Sequence, residues 1–128
     1  MTDTALNDLE TVLHEGSAGR ATAADLHAAV LQATLFVPSV SEVGADGSFT
    51  PLLLPTPRSE TGMILAFTDR RRITPEVTAQ APHIFEVAGT RLIRHLAPDR
   101  GIVIFAGLDA AAELDPATLA DLRLSIYR

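Results

Sequence analysis

Cysteine is absent from all 128 residues. That excludes disulfides, thiolate nucleophiles, iron–sulfur clusters and thiolate zinc sites together. Lysine is absent as well, which removes the Walker-type phosphate loop, the Schiff-base lysine and the kinase phosphate-binding lysine, each of which needs an ammonium. There is no tryptophan and only one tyrosine, a poor stock for a platform that stacks bases. Apolar runs are short: the longest, GIVIFAGL at 101–108, falls far below the ~20 residues of a membrane-spanning helix. The start, MTDTALNDLE, lacks the basic and apolar regions of a signal peptide, so a cytoplasmic protein is expected.

What is present fits a single globular domain over residues 1–128. Hydrophobic residues make up 47% and charged residues 20%, and a chain of this length buries a core without metals or disulfides. All positive charge comes from ten arginines set against sixteen acids, for a net charge of −6. Duplex phosphate is repelled by that balance, and no nucleic-acid partner is expected. The charge is also uneven. Up to residue 57, seven acids face Arg20 alone, whereas from Arg58 onward nine arginines meet nine acids. A basic partner therefore meets the N-terminal half first.

TALNDLETVLHEG predicts a helix with Leu6, Leu9 and Leu13 on one face, capped by Thr4 or Asp3 and ending at Gly16. A second helix opens at Thr22 with Asp25 three residues on, a relative of the capping box, and carries Leu26, Ala29, Val30 and Ala33 at helical spacing. The period then changes. TLFVPSV, TPLLLP and MILAF read as three strands, with Asp46-Gly47 marking the first turn and Pro38 and Pro51 at strand ends or on an edge. An antiparallel meander is expected from them. Beyond it, Thr74-Pro75-Glu76 starts a short helix, HIFEVAG reads as a strand, GTRLIRHLAP as a helix stopped by Pro98, and GIVIFAG as a central strand. Asp115-Pro116 opens a short closing helix, and LRLSIY is expected to add a tail strand. The fold class is α+β, with helices packed on a mixed, mostly antiparallel sheet.

Four stretches, LQATLFVPSV, ADGSFTPLLLP, MILAFTDRRRI and GIVIFAGLDAAAELDPATLADL, in this order resemble the N-terminal domain of the SseB family, the enhanced-serine-sensitivity proteins. The likeness covers about residues 22–122. Where that family usually turns through Asn-Pro-Gly, this chain reads FAGLD. The resemblance implies a small bacterial cytosolic domain, linked by name to secretion systems, and brings no enzymatic residues with it.

The candidate site is FTDRRRI at 67–73. Arg70, Arg71 and Arg72 follow a strand end and a Thr68-Asp69 pair suited to capping a turn, a place where guanidinium forks can hold an anion or a partner's carboxylates. Consecutive residues point in different directions, however, so three in a row converge on one ligand only through a special turn. The alternative is a solvated face paired with Asp69, Glu76 or the acidic N-terminal helices. His14, His27, His83 and His95 match no metal-ligand spacing. GSAG at 16–19 lies between two helices and not in a strand-to-helix elbow, and Asp46-Gly47-Ser48 lacks the alternating carboxylates of a calcium loop. No catalytic residue, metal or cofactor is assigned. The leading expectation is a non-enzymatic module that binds another protein, or its own copy, through an acidic helical face or a sheet edge. Two alternatives stand beside it: a sensor of an anionic metabolite at Arg70–Arg72, and a hydrolase of unfamiliar design relying on His83 or His95 beside a carboxylate.

Overall fold

The computed structural model describes residues 7–46, 48–56, 59–96, 100–106 and 111–126. Its centre is a six-stranded mixed sheet in the order β4-β1-β3-β5-β6, with β2 pairing β3 as well. The strands are β1 (Thr34–Ser39), β2 (Leu53–Thr56), β3 (Ser59–Phe67), β4 (His83–Ala88), β5 (Ile102–Phe105) and β6 (Ala111–Leu114). Among the described residues, only β3 and β5 run parallel. Strand alternation sorts the side chains onto two faces. Leu35, Val37, Ile64, Ala66, Ile102 and Ile104 face a main core closed by α1 (Asp8–Ser17), α2 (Ala23–Gln32), α4 (Gly89–His95) and α5 (Pro116–Ile126). Met63, Leu65, Phe67 and Val103 face the other way, against Leu52, Ile73 and Val77, the last from α3 (Pro75–Gln80). The expected α+β class, with helices on a mostly antiparallel sheet, is what the chain forms.

Local signals set most helix starts. Thr22 and Asp25 form the reciprocal capping box in full, Pro75 sits in the first turn of α3, and the Asp115 carboxylate accepts from the Thr118 N–H at 2.7 Å. The cap of α1 is a correction. Asn7 holds it, its side chain accepting from the Glu10 N–H, while Thr4, Asp3 and Leu6 lie outside the described residues, as do Gly47, Pro98 and the GLD of FAGLD.

Two further expectations are corrected by long-range pairing. The meander does not form: β1 pairs along its length with β4, touches β3 at Phe36 and Phe67, and meets the stretch before β2 through a single Ser39–Pro51 bridge. The tail strand is instead the second half of α5. Leu119, Leu122 and Ile126 pack on the core at helical spacing, and Leu124 is left 62% exposed, so the 3.6-residue period wins over an alternation of leucines. The strand beside β5 is AAEL, which has little β propensity of its own and is held by four register pairs to β5.

Three turn and cap carboxylates, two exposed and one half-buried, link the fold to acid. Hydrogen bonds from Thr22, from Ser48 and from Arg71 hold Asp25, Asp46 and Asp69 respectively below the usual carboxylate range. A folded pKa below the unfolded one means stability that is present above the unfolded value, about 3.9, and lost as pH falls through the folded value. The urea midpoint is therefore expected to fall as pH drops below about 4, and the Asp25→Asn, Asp46→Asn, Asp69→Asn triple variant, whose amides still cap, should flatten that decline. An unchanged acid limb in the variant would assign the loss to other carboxylates.

Candidate functional site

The RRR stretch forms one 3-10 turn, Arg70–Arg72, directly after β3. Thr68 donates its N–H to the Phe105 carbonyl at 3.1 Å, and Asp69 caps the turn by accepting from the Arg71 N–H at 2.9 Å. The three guanidiniums then leave in three directions. Arg71 folds back on the same Asp69 with its Nε and Nη2 at 3.0 and 3.2 Å. Arg70 reaches Glu86 on β4 at 3.5 Å and lies 5.7 Å over the Phe36 ring. Both are exposed, where such pairs contribute little. Arg72 turns inward.

Its partner is Glu10, which the sequence reading did not single out. Glu10 is 0% exposed, and the Arg72 side chain 13%. Nε and Nη2 of Arg72 donate to the carboxylate at 2.9 and 2.7 Å, the two-pronged geometry that suits a guanidinium. The Thr68 hydroxyl donates to the same carboxylate. Asn7 completes the joint by donating from Nδ2 to the Thr68 carbonyl at 2.9 Å. The turn is thus the anchor of α1. An acid next to Leu9, and within one turn of Leu13 on the inward side of α1, was the one sequence signal for it.

Anchoring α1 here creates a groove. Between α1 and α2, opening at one end over Phe36, Thr68 and Asp69, runs a cleft of about 740 Å³. Each helix presents one stripe to it: Asp8, Val12 and Glu15 from α1, and Asp25, Ala28, Ala29 and Gln32 from α2. The floor is apolar, with Leu9, Val12, Ala28, Ala29 and Phe36. Four carboxylates, Asp8, Glu15, Asp25 and Asp69, line it against one guanidinium, Arg20, and that one is already bound to Glu15 at 2.6 Å. Three of the seven acids of the N-terminal half, Asp8, Glu15 and Asp25, thus line one concave place.

The family model of the SseB protein N-terminal domain matches residues 9–121. This chain belongs to the SseB family. The match takes in the arginine turn, α1 from Leu9 onward and most of the residues that line the helical groove, and so reaches further toward the N-terminus than the four stretches of likeness. No curated protein and no solved structure matches the chain.

Other groups of the SseB domain stay apart. His27 and His83 are half-buried on α2 and at the start of β4, and His14 lies in the last turn of α1 with its Nε2 buried. Among the described residues no three histidine or acidic side chains come together as a metal site, and no helix is long and apolar enough to cross a membrane. His95 does share a cavity with Asp46 and Ser48. Asp46, however, accepts from the N–H and hydroxyl of Ser48 itself. The order of nucleophile, imidazole and carboxylate is not formed there among the described residues. GSAG falls at the end of α1.

Proposed function

We propose that this SseB-family domain is a non-enzymatic interaction module that receives a basic, amphipathic helical segment of another protein in the groove between α1 and α2. The observation that carries this reading is the acidic rim around an apolar floor. A helix laid in a groove anchors through apolar side chains spaced over successive turns, and its Lys or Arg residues then meet Asp8 and Asp25, the two rim acids without a guanidinium among the described residues, while Glu15 and Asp69 are shared with Arg20 and Arg71. Each of α1 and α2 has ten residues, about 15 Å of rise, which gives the groove a length of roughly three turns. A charge rim of this kind governs association rate and salt sensitivity more than final affinity.

The test is co-purification at two salt concentrations with wild type and with the Asp8→Arg, Asp25→Arg variant, followed by mapping of the bound segment. A stoichiometric partner whose contact segment is basic and amphipathic, weakened at least about tenfold by the reversal and by added salt, is the expected result. A partner held equally by both forms, self-association through a sheet edge, or a contact segment without basic residues would remove the groove from the account. Binding lost only in an Arg70→Ala, Arg71→Ala variant would move the contact to the exposed arginines.

A further inference from the structure

Another concavity lies between β4 and α4, with Asp46, Ser48 and Phe49 closing its far side, and has a volume of about 280 Å³. Its apolar wall is made by Phe49, Phe85, Val87, Leu92 and Leu96. The two rings meet at 4.7 Å between centroids and a tilt of 48°, and both remain partly open. Arg91 and His95 stand at its mouth, one turn apart on α4 and exposed. Neither side chain has a hydrogen bond or an acid within ion-pair distance among the described residues. The one carboxylate of the wall, Asp46, is occupied by Ser48 in a tight turn that the Gly44 N–H closes on the Ser48 carbonyl at 2.9 Å.

We infer that this cavity binds a small monocarboxylate with an aromatic or branched apolar body. Three features converge on that chemistry. The volume equals that of roughly nine waters at their share of the liquid, the size of one ring with a short acid arm. The wall offers two tilted aromatic rings whose partly open faces and edges a third ring can join. The permanent charge without a partner is a guanidinium, whose planar fork matches a carboxylate with two parallel hydrogen bonds. Pockets of mainly apolar lining with a few polar groups that fix orientation are the usual form of a small-molecule site. The site shares no lining residue with the groove between α1 and α2, and it does not depend on the reading of that groove.

The experiment is an NMR titration of the full chain with phenylacetate, its neutral counterpart phenylacetamide, and benzylamine. The expected result is saturable shifts at Phe49, Phe85, Leu92 and Arg91 with phenylacetate, none along α1 and α2, and much weaker binding of the amide and the amine. Arg91→Gln should weaken phenylacetate at least about tenfold, the effect of losing one charge-assisted contact, with the remaining spectrum unchanged because the position is exposed. Equal binding of acid and amide, an unchanged affinity in Arg91→Gln, or no saturable shift up to the solubility of the probe would each overturn the assignment. Preference for benzylamine would overturn it too, since Asp46 would then be the group that selects.

Discussion

Arg72→Ala is expected to cost the domain about 3–5 kcal/mol, the effect of leaving one member of a buried pair without the other. Glu10 has no route to water at 0% exposure, so removing the guanidinium leaves a buried carboxylate whose charge the Thr68 hydroxyl does not neutralise. Arg70→Ala and Arg71→Ala, whose partners sit at an exposed surface, should each stay within about 0.5 kcal/mol of wild type. Urea denaturation of the three single variants separates them. Equal losses in all three would mean that the inward geometry of Arg72 carries no weight. The double variant Glu10→Leu, Arg72→Met should recover most of the loss, because well-packed apolar replacements of a buried ion pair are often neutral. The same contrast governs any functional use of the turn. Changing all three arginines together releases α1 and deforms the groove beside it, so a partner lost in the triple variant says nothing about contact with arginine, whereas Arg70→Ala, Arg71→Ala keeps the anchor and isolates the exposed charges.

That divergence within three adjacent residues also marks the boundary of what the chain discloses by itself. Local chemistry was legible: Thr22 with Asp25, Pro75, and Asp115 before Pro116 each start a helix for reasons contained within four residues. The apolar faces of α1 and α2 were legible too, but the stripes that line the groove, Asp8, Val12 and Glu15, and Asp25, Ala28, Ala29 and Gln32, follow the same helical spacing without announcing that the two helices would set them side by side. Pairings across long stretches of chain were not. Arg72 finds Glu10 across 62 residues, and nothing in RRR tells the inward arginine from its neighbours until the turn fixes their directions. Likewise β1 prefers β4 to the strand that follows it, and AAEL becomes a strand because β5 offers an edge; both outcomes belong to tertiary packing, which overrides local preference. The cavity beside α4 was hidden for the same reason, its wall being assembled from the loop before β2, from β4 and from α4.

Gly89→Ala is the second large effect, and its sign is opposite to the usual one. In a helix, alanine normally stabilises over glycine by about 0.5–1 kcal/mol. Gly89 opens α4 at the point where β4 hands over to the helix, and its N–H donates to the Ala33 carbonyl at 2.8 Å. A Cβ there would stand 2.0 Å from the Val30 carbonyl oxygen and 3.1 Å from its carbon. Those atoms are backbone in the last turn of α2, and no rotamer change moves them away. Relief requires α4 to separate from α2, which breaks the packing of Leu92 and Ile93 into the main core. The expected loss is about 3 kcal/mol or more, at or above the upper end for overpacked cores. Gly16→Ala is the matched control, because nothing lies within 4 Å of its added Cβ and the ordinary gain should appear there. Urea midpoints for the two variants decide the matter: a Gly89→Ala protein as stable as the Gly16→Ala one would mean that the approach of α2 to α4 is slack. A large loss, with the phenylacetate shifts at Leu92 and Arg91 disappearing in step, would place the seat of α4 against α2 as the support on which the cavity depends.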